Sequence, residues 1–557
     1  DCFYASVLEN ENPALRSLPL AVQQKQIVVT CNYEARRRGV SKLQLIKEAK
    51  KICPDVVIIL GEDLTRFRNA SKELYGFLKS FSWNSKVERL GFDEVFLDVS
   101  DMISHNVALL NFNDLPNSFF YLSKDDPTSG FAFDASQVAG YTYPESPSND
   151  AQFDPLQLRL RLGSHLAQYL RHQLDSQKSY TCTVGISTNK LLAKLVGNLH
   201  KPNSQTTLLS FTADPPNESD NITIFMDGHE VGKIPGIGFK LAQKIRAYVL
   251  QRPLEVDTSL VYGGTREKVL VRDVRTIPGM GPETLERILG GAGSPRGIGV
   301  RIWGLLNGSD DSEVSQAREV PKQISIEDSY LHLDTLEEVV KELRMLAKSL
   351  LKRMHADLLE DDEDEEQGGR WLAFPKTLRL STRLRPPQNP NGGRNRSFAR
   401  ISRSAPLPNF VFNLQESIEA VSERLVMETI IPLFRRLHPE RSGWDLSLVN
   451  VAVTNMVDAA GERGGAGRDI SKMFKRQDDI EDRGIDFSSE KSAETQGIEK
   501  GGSEDVPTWS QEQNIAEDMN WEADEGVMDN AFRCHRCGAL MPAFAMAAHE
   551  RWHALDS

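Results

Sequence analysis

The stretch VERLGFDEVFLD, residues 87–98, decides how the first part of the chain folds. Alternating apolar residues on both sides of Asp93 and Glu94 predict two short strands, with the acidic pair at or near their junction. Because neighbouring strand residues point to opposite faces, a turn or bulge must bring the two carboxylates to one spot. Convergent carboxylates repel each other unless a divalent cation neutralises them, and oxygen ligands that leave room for phosphates suit Mg²⁺. A surface turn with two solvated acids is the ordinary alternative for this pair alone.

The composition excludes several classes of protein. Its 557 residues suffice for roughly three to five domains. Six cysteines are too few for a disulfide framework, and only Cys534 and Cys537 lie close in sequence, which is typical of a reducing compartment. We find no apolar run that could span a bilayer and no secretory signal, so we expect no membrane partner. The sequence starts at Asp1 inside a motif, so we expect its start to be truncated.

The charge is distributed unevenly along the chain. The net formal charge is −13, but residues 458–533 hold 9 Lys and Arg against 20 Asp and Glu. The run EDDEDEE at 360–366 is wholly acidic, and the remainder of the chain is therefore mildly basic. A basic body with acidic segments is compatible with a polyanionic partner, although it does not require one. The composition of residues 458–528 predicts a disordered linker.

A short basic helix is predicted within the sequence TCNYEARRRG, residues 30–39. Tyr33 and Arg36 are three residues apart and would share one face of this helix. Together with Thr30 they supply two hydroxyls and a guanidinium fork that could grip a triphosphate. A solvated basic helix is the ordinary alternative.

Strands and helices alternate up to residue 98, which indicates a compact α+β or α/β unit. Residues 101–155 break this pattern. They are rich in Ser, Asp, Asn, Pro and Gly and too long for a normal loop, so we expect a largely disordered insertion. Beyond it, three lysines could bind phosphate oxygens as point charges, although a lone lysine usually serves solubility: Lys190, Lys194 and Lys201.

Two glycine-rich turns indicate a DNA-binding element. The sequence IPGIG at 234–238 precedes a predicted helix, and IPGMG at 277–281 repeats it before a second one. Their glycines allow backbone N–H groups to face a DNA phosphate at a helix start, as in a helix-hairpin-helix. A Pro-Gly turn between packed helices is the alternative for either copy.

Residues 320–457 predict another α+β domain, with a long helix at 336–354. The segments 376–385 and 396–403 alternate basic or polar residues with apolar ones, which predicts strands with Leu378 on one face and Arg379 on the other. A basic sheet face suits a sugar–phosphate backbone, and a solvated outer face is the ordinary alternative.

The C-terminal segment carries a Cys-x2-Cys-x11-His-x3-His pattern. Two cysteines and two histidines at this spacing indicate a tetrahedral zinc site, and so small a unit needs its metal to fold. The four candidate ligands are Cys534, Cys537, His549 and His553. The apolar face of the following helix suits a protein partner better than base reading. An apolar island at 470–474 is a candidate docking peptide for a sliding clamp.

Taken together, these blocks resemble the Y-family translesion DNA polymerases. DCFYASV, CNYEARRRGV, ERLGFDEVFLD, GISTNKLLAKL, KPN and IPGIG occur in the order found in that family. The match covers roughly residues 1–100 and 156–457, and QQKQIVVTCNYEAR looks most like the iota branch, with the eta branch as the nearest alternative. The resemblance implies a low-fidelity, DNA-directed DNA polymerase, a nucleotidyltransferase without proofreading.

The resemblance also implies an α+β multidomain fold built as a right hand, with palm, fingers, thumb, an additional little finger, a disordered linker and a C-terminal zinc finger. The implied boundaries are 1–24 (truncated palm), 25–85 (fingers), 86–230 (palm with the insertion), 231–318 (thumb), 319–457 (little finger), 458–528 (linker) and 529–557 (zinc finger of the ubiquitin-binding type).

Residue roles follow from the same resemblance. Asp93 and Glu94 match metal-site carboxylates that would hold two Mg²⁺ ions, with Mn²⁺ as an alternative. The positions matching contacts to the incoming nucleotide are Phe3, Tyr4 (the steric gate against a ribose 2′-hydroxyl), Thr30, Tyr33, Arg36 and Lys201. Those matching the pocket over the nascent pair, where the iota branch favours Hoogsteen pairing, are Gln24, Lys25 and Ile27. The DNA-binding candidates are Gly236, Gly238, Lys240, Arg379 and Arg400.

The chain departs from the family pattern at two places. On the residues alone Asp1 is a third candidate metal ligand, but it matches the second acid of the family's D-x-D motif, and the first acid would precede it. We therefore expect residues 1–557 by themselves to be catalytically weak or inactive. The C-terminal finger resembles ubiquitin-binding fingers of eta-type polymerases, in which an Asp follows the first His by two residues, whereas Arg551 stands here.

The resemblance implies primer-template DNA, a dNTP and either ubiquitin or a ubiquitinated sliding clamp as partners, and a nuclear location. Two alternative hypotheses about the function stay open. One is an eta-type translesion polymerase. The other is a non-catalytic DNA-damage scaffold that binds DNA and ubiquitin, and replacing Asp93 and Glu94 would discriminate it from an enzyme.

Overall fold

The computed structural model describes residues 1–145, 154–209, 220–254, 267–291, 293–318, 320–330, 332–360, 369–385 and 400–459, together with short strands at 531–533 and 540–542. The described residues belong to two compact units, Asp1–Ala317 and a second that begins at Arg318. Each unit combines helices with strands, so the mixed α and β fold predicted from the sequence is confirmed.

The first unit opens with a small sheet and its helices. In chain order these elements are α1 (Phe3–Glu11), β1 (Leu20–Gln24), β2 (Ile27–Cys31), α2 (Tyr33–Arg37), α3 (Ile46–Ile52), β3 (Val57–Leu60) and α4 (Thr65–Lys79). Strand β1 lies in the middle of the sheet, antiparallel to β2 and parallel to β3. The buried residues Leu20, Val22 and Phe67 join this sheet to α1 and α4 in one apolar core.

The middle of the first unit carries two hairpins and a parallel sheet. Its elements are β4 (Val87–Leu90), β5 (Glu94–Leu97), α5 (Ser100–Ala108), β6 (Ser118–Tyr121), β7 (Gly130–Phe133), β8 (Tyr141–Tyr143), α6 (Pro155–Lys178), β9 (Val184–Ile186), α7 (Lys190–Val196) and β10 (Gln205–Leu208). β4 pairs with β5 and β6 with β7, both antiparallel. β10 lies between β8 and β9 and is parallel to both.

The prediction that residues 101–155 form a largely disordered insertion is wrong for residues 101–145, which fold as α5, the β6–β7 hairpin and β8. Residues 146–153 lie outside the described part of the chain. The reason is aromatic packing: Phe120 and Phe133 are buried against Met102 of α5 and Leu162 of α6. The Ser, Asp, Asn and Pro residues that suggested disorder form turns between these elements.

The described residues from 220 to 317 form the α-helices α8 (Asn221–Asp227), α9 (Phe239–Leu250), α10 (Val271–Arg275), α11 (Pro282–Leu289) and α12 (Ile298–Leu306). Both predicted helices after the glycine-rich turns, α9 and α11, are confirmed. In each turn a proline is followed by a glycine with positive φ, +88° for Gly236 and +75° for Gly279. The fourth residue of each turn donates its N–H to the first at 3.0 Å, which is the geometry of a type II turn.

The second unit contains a four-stranded antiparallel sheet covered by helices. Its elements are β11 (Ile324–Ser329), α13 (Leu336–Leu358), β12 (Leu359–Glu360), β13 (Arg370–Trp371), β14 (Ala373–Leu384), β15 (Ile401–Pro406), α14 (Ile418–Leu425), α15 (Ile431–Leu437) and β16 (Leu446–Asp458), followed by the antiparallel pair β17 (Ala531–Arg533) and β18 (Leu540–Pro542). The order in the sheet is β11-β16-β14-β15. Leu378 and Leu380 of β14 are buried against α13.

Most predicted elements of the second unit are confirmed. The helix predicted at 336–354 continues to Leu358. The strand predicted at 376–385 corresponds to β14, which begins earlier, at Ala373, and ends at Leu384. The alternation predicted for β14 is also correct, because Leu378 is buried whereas Arg379 faces the other side of the sheet and remains partly exposed. Of the strand predicted at 396–403, residues 401–403 lie in β15, whereas residues 396–399 lie outside the described part of the chain.

Several predictions fall on residues that the structure does not describe. They are the disordered linker beyond residue 459, the acidic run from residue 361, the docking peptide at 470–474 and the zinc-ligand candidates Cys534, Cys537, His549 and His553. Among the helices that the structure does describe, none combines the length and the apolar character needed to cross a bilayer.

Candidate active site

The acidic pair lies at the tip of the β4–β5 hairpin. Leu90 pairs with Glu94, so the turn between the strands consists of Gly91, Phe92 and Asp93. Gly91 has φ +75°, a conformation that glycine adopts without the steric penalty of a side chain. Asp93 is thus the last residue of the turn and Glu94 the first residue of β5, and both side chains are exposed. The predicted position of the acids at a strand junction is confirmed.

The tip of the hairpin is fixed to helix α4. Arg89 donates its Nε–H to the carbonyl oxygen of Gly91 at 3.0 Å and its Nη2–H to the hydroxyl of Ser71 at 2.6 Å. The Ser71 hydroxyl in turn donates to the carbonyl oxygen of Phe92. Two of the three turn residues are therefore bound to side chains, which positions the acids on a rigid element rather than on a mobile loop.

The two acids differ in their electrostatic surroundings. Desolvation by the surrounding protein, followed by the negative charge of Glu94, raises the pKa of Asp93, although Lys201 opposes this shift. An exposed carboxylate that is nevertheless partly desolvated is characteristic of a cleft. Glu94 accepts a hydrogen bond from the ammonium of Lys194 at 2.8 Å. Asp93 is the acid with no such neighbour at ion-pair distance within the described residues.

Asp1 is held beside the turn at residues 201–203. Its carboxylate accepts hydrogen bonds from the hydroxyl of Thr183 at 2.9 Å and from the backbone N–H of Asn203 at 2.8 Å. These bonds fix the orientation of the Asp1 carboxylate. Within the described ranges, no three or more His, Cys, Asp or Glu side chains come together as a metal site. Asp93 and Glu94 therefore remain a pair, and Asp1 does not complete a cluster.

Tyr4 lies next to the acidic hairpin. Its ring stacks on the buried ring of Phe67, with centroids 4.2 Å apart and planes inclined by 18°, and its centroid is 6.1 Å from that of Phe92. Phe3 is buried beside it and contacts Tyr180. The stack on Phe67 fixes the orientation of Tyr4, which points its phenol ring along one side of the acidic tip.

Tyr33 and Arg36 share one face of helix α2, as predicted from their spacing. The guanidinium carbon of Arg36 lies 4.9 Å from the centroid of the Tyr33 ring. Burial raises the pKa of Tyr33, and the neighbouring Cys2 raises it further. The helix face therefore adjoins the first residues of the chain. Thr30 lies on β2, three residues before the start of α2, and pairs with Val22 of β1.

Asn32 holds these elements together and was not singled out from the sequence. Its side-chain oxygen accepts hydrogen bonds from the N–H groups of Leu20 (3.0 Å) and Ala35 (2.9 Å). Its amide nitrogen donates to the carboxylate of Glu9 and to the carbonyl oxygen of Leu18, both at 2.8 Å. The residue is only 5% exposed. Its position before a helix is typical of an N-cap, and this role can be recognised from the sequence. Its three long-range hydrogen bonds cannot, because their partners lie far away in the chain.

The three lysines proposed as phosphate ligands have different surroundings. Lys190 donates to the buried carboxylate of Glu88 at 2.9 Å, and Lys194 is bound to Glu94. The expectation that Lys190 is available for a phosphate is therefore not supported by its surroundings. Lys201 is exposed and, within the described residues, no carboxylate lies at ion-pair distance from it.

Gln24, Lys25 and Ile27 surround the two-residue turn between β1 and β2. Gln24 pairs with Ile27 across this turn, and Lys25 has a positive φ of 48°. The Gln24 side chain donates to the carbonyl oxygen of Gly61 at 2.7 Å, and the N–H of Lys25 donates to Glu62 at 3.1 Å. This hairpin is thereby fixed to the end of β3.

The remaining DNA-binding candidates are distributed over both units. Gly238 precedes α9, and a side chain added there would meet no atom within 4 Å, so the start of this helix is open. Lys240 lies in the first turn of the same helix. In the second unit, Arg400 is paired with Glu327 at 2.7 Å, and Arg379 lies in β14.

Comparisons with known proteins place the chain in a family. The model described as the impB/mucB/samB family matches residues 1–198, and the model described as the C-terminal domain of that family matches residues 321–465. Together they cover more than half of the chain, including the acidic hairpin and the four-stranded sheet. The chain therefore belongs to the Y family of DNA polymerases.

Individual relatives agree with this assignment. The chain is 32% identical to DNA polymerase iota of Homo sapiens over 456 residues, which are 82% of this chain and 51% of that protein. It is 32% identical to DNA polymerase iota of Drosophila melanogaster over 359 residues, 64% of this chain and 41% of that one. DNA polymerase eta of Drosophila melanogaster is 28% identical over 274 residues, 44% and 29% of the two chains. The matched region covers most of this chain but only about half the length of DNA polymerase iota of Homo sapiens. The predicted resemblance to the iota branch is confirmed.

Proposed function

We propose that this chain is a low-fidelity, template-directed DNA polymerase of translesion synthesis, which transfers a nucleotide from a dNTP to the 3′-hydroxyl of a primer. The observation that carries the proposal is the rigid hairpin that presents Asp93 and Glu94 within the part of the chain matched by the family model. The relatives named DNA polymerase iota and eta support the same reaction class.

Asp93 and Glu94 would hold the divalent cations of this reaction. Mg²⁺ is usually bound by one or two carboxylates together with substrate phosphates, so a pair of exposed carboxylates fits it without a third protein ligand. The raised pKa of Asp93 supports this assignment, since a cation would relieve both the desolvation and the repulsion from Glu94. Mn²⁺ accepts the same oxygen ligands. When bound, a two-metal site activates the attacking oxygen and stabilises the leaving one.

The residues around the hairpin would bind and orient the nucleotide. Arg36 offers a planar fork of donors, and Tyr33 and Thr30 offer hydroxyls, which together suit the oxygens of a triphosphate. Lys201 would add a positive charge from the opposite side, because it is close enough to act on Asp93 and has no carboxylate at ion-pair distance among the described residues. Catalysis would then rest on positioning and charge stabilisation rather than on a covalent intermediate.

The ring of Tyr4 would exclude ribonucleotides by occupying the space of a 2′-hydroxyl. We expect Tyr4→Ala to raise the incorporation of a ribonucleotide relative to its deoxyribonucleotide by about 10- to 100-fold, the range over which an apolar wall rejects one added hydroxyl. Single-turnover primer extension with matched dNTP and rNTP measures this ratio. Tyr4→Phe is the matched control, because it keeps the ring stacked on Phe67 and should leave discrimination unchanged. Equal ratios for all three proteins would exclude this role.

The templating and DNA-binding surfaces follow from the same assignment. Gln24, Lys25 and Ile27, on the turn fixed to the end of β3, would cover the nascent base pair. The turn and helix start that contain Gly236, Gly238 and Lys240, which are open at Gly238, would bind a phosphate of the duplex through backbone N–H groups. The sheet face that carries Arg379, with Arg400 at its edge, would lie along the sugar–phosphate backbone.

The domain boundaries proposed for a right-hand polymerase agree in part with the two compact units. We propose that residues 1–24 and 86–230 form the palm, 25–85 the fingers and 231–318 the thumb, and that 319–457 form the little finger. The division near residue 318 supports the last of these boundaries. The packing of α5 and the β6–β7 hairpin against α6 supports the inclusion of these residues in the palm.

The C-terminal segment would form a zinc finger with Cys534, Cys537, His549 and His553 as ligands. The antiparallel pairing of β17 with β18 supports this proposal, because the two cysteines fall between these strands in the sequence. The finger would bind ubiquitin or a ubiquitinated sliding clamp at the replication fork, which implies a nuclear location.

The zinc content of the protein tests whether the C-terminal segment forms a zinc finger. The unaltered protein should bind about one zinc ion per chain, and Cys534→Ser should bind none, because a tetrahedral structural site does not tolerate the loss of a thiolate. Elemental analysis of the purified full chain measures this content. Cys182→Ser, which changes a cysteine outside the spacing motif, should keep its zinc. An unchanged zinc content in Cys534→Ser would show that the motif is not a metal site.

Primer extension tests the proposed reaction as a whole. Residues 1–557, which we expect to be only weakly active by themselves, should add nucleotides to an annealed primer slowly and only when a template and a divalent cation are present, with frequent misincorporation and no removal of a mismatched end. Accurate insertion opposite linked pyrimidines would favour an eta-type activity instead. DNA binding without any template-directed incorporation would favour the scaffold.

A further inference from the structure

A pocket lies beside the turn at residues 201–203. Its volume is about 520 Å³, and it is formed by α6, the start of β8 and the segment 199–205. We call it the Arg171 pocket after its central cation. We propose that it binds a nucleotide, with the base against Tyr141 and the phosphate towards Arg171 and Lys201. The proposal needs neither Asp93 nor Glu94, but the pocket shares Lys201 with the proposed triphosphate site, so the test has to separate the two sites.

The pocket has a strongly positive lining. Arg171 and Lys201 both line it, and none of its lining residues is an Asp or a Glu. The guanidinium of Arg171 donates to three neutral acceptors: the Cys182 carbonyl oxygen at 3.2 Å, the Gln205 side-chain oxygen at 3.3 Å and the Asn203 side-chain oxygen at 2.8 Å. These bonds orient the guanidinium without pairing it with a carboxylate. Among the described residues, no carboxylate forms an ion pair with either cation. Such a site attracts a phosphate.

An aromatic platform forms one wall of the pocket. Tyr141 stacks on His200, with ring centroids 4.0 Å apart and planes inclined by 11°. A nitrogen of the His200 ring lies 3.0 Å from the hydroxyl of Thr206, and this hydrogen bond fixes the orientation of the His200 ring. Tyr141 is 54% exposed, so one face of its ring remains open to a planar ligand. Nucleic-acid bases stack on such exposed aromatic faces whatever their sequence.

The floor of the pocket is preformed. The side chain of Gln205 is 1% exposed, and it donates to the carbonyl oxygens of Ala139 and Ser164, both at 2.8 Å. It thereby joins the start of β8 to α6 and at the same time accepts from Arg171. A site whose walls are already fixed loses little conformational freedom on binding, which favours affinity for a small ligand.

Binding of 2′-deoxyadenosine monophosphate to the full chain tests the proposal. The titration is performed in EDTA, which removes divalent cations, and is repeated with inorganic phosphate. The mononucleotide should bind roughly 5- to 150-fold more tightly than phosphate, because stacking adds to the charge attraction. Tyr141→Ala should reduce its affinity to that of phosphate.

Gln168→Glu provides a second variant that leaves the core intact. Gln168 is an exposed residue of α6 that lines the pocket, and a carboxylate three positions before Arg171 would neutralise that cation. Binding of the mononucleotide should weaken by about 10-fold or more. Gln177→Glu, the same change about 14 Å further along the helix, is the matched control and should bind normally. Primer extension by Tyr141→Ala and Gln168→Glu should remain unchanged, which shows that both fold.

Arg36→Met separates this pocket from the proposed triphosphate site. Mononucleotide binding that persists in Arg36→Met but weakens in Gln168→Glu supports the proposal. Binding that is lost in Arg36→Met and unaffected by Gln168→Glu would place the ligand at the site already described and would overturn it. Absence of saturable binding, or equal affinities for the mononucleotide and phosphate, would overturn it as well.

Discussion

Replacing either acid of the hairpin by its carboxamide, Asp93→Asn or Glu94→Gln, is expected to lower the rate of nucleotide incorporation by about 10³-fold or more. The carboxamides keep the size of the side chains but remove the negative charge that a divalent cation requires. The hairpin itself should remain intact, because its tip is held through Arg89 and Ser71 and not through the acids. Single-turnover extension of an annealed primer, compared with the unaltered chain, measures the effect.

Glu73→Gln is a suitable control for these variants. It removes an exposed acid of α4 that is paired with Lys178, and exposed ion pairs contribute little, so incorporation should stay at the level of the unaltered chain. Affinity for primer-template DNA should be retained in all three variants. If Asp93→Asn and Glu94→Gln extended primers at the original rate, the hairpin would not be the catalytic centre and the scaffold would become the better explanation.

Asn32→Leu is expected to cause the second large effect, a local loss of stability of about 3 kcal/mol. Leucine has the same branching as asparagine but leaves four donors and acceptors without their partner. Two of them, the N–H groups of Leu20 and Ala35, are buried, and each unsatisfied buried group costs about 1–3 kcal/mol. The affected groups belong to α1, β1 and α2, so Tyr33 and Arg36 would lose their fixed position. Amide hydrogen exchange in β1 and α2 should become roughly 10²-fold faster.

The control for this change is Asn113→Leu. Asn113 is exposed, and the same substitution there should alter exchange in β1 and α2 by less than a factor of about two, as expected for a surface site. Dissociation of a dNTP should also become faster in Asn32→Leu and not in Asn113→Leu. Unchanged protection in Asn32→Leu would mean that the network around residue 32 carries no local stability.

The sequence was sufficient where local patterns determine the structure. The apolar alternation around Asp93 and Glu94 predicted the two strands and their junction, and the Ile-Pro-Gly segments predicted turns before α9 and α11. The 3.6-residue periodicity of residues 336–354 predicted α13. In each case the signal lies within about twenty neighbouring residues, over which periodicity and turn chemistry act.

The sequence was insufficient where distant side chains meet. The order of residues 101–145 depends on Phe120 and Phe133 packing against α6, which a count of polar residues does not reveal. The pairing of Lys194 with Glu94 joins residues 100 positions apart. The same holds for Asn32, whose role follows from three partners outside its own helix. The roles given to Tyr4, Tyr33, Arg36 and Lys201 remain predictions. Tyr4 lies beside Phe92 of the acidic hairpin and Lys201 acts on Asp93, whereas Tyr33 and Arg36 lie near Cys2.

The ammonium group that lies 2.8 Å from Glu94 acts as a built-in counter-ion for the acidic hairpin. In the proposed polymerase, Glu94 can bind a divalent cation only by sharing its carboxylate with Lys194 or releasing it. Helix α7 therefore competes for the same oxygen atoms and sets how readily the hairpin takes up ions. Because both partners are partly exposed, dissolved salt weakens this competition, so the ionic strength of the medium would adjust the metal requirement without any change at the acids themselves.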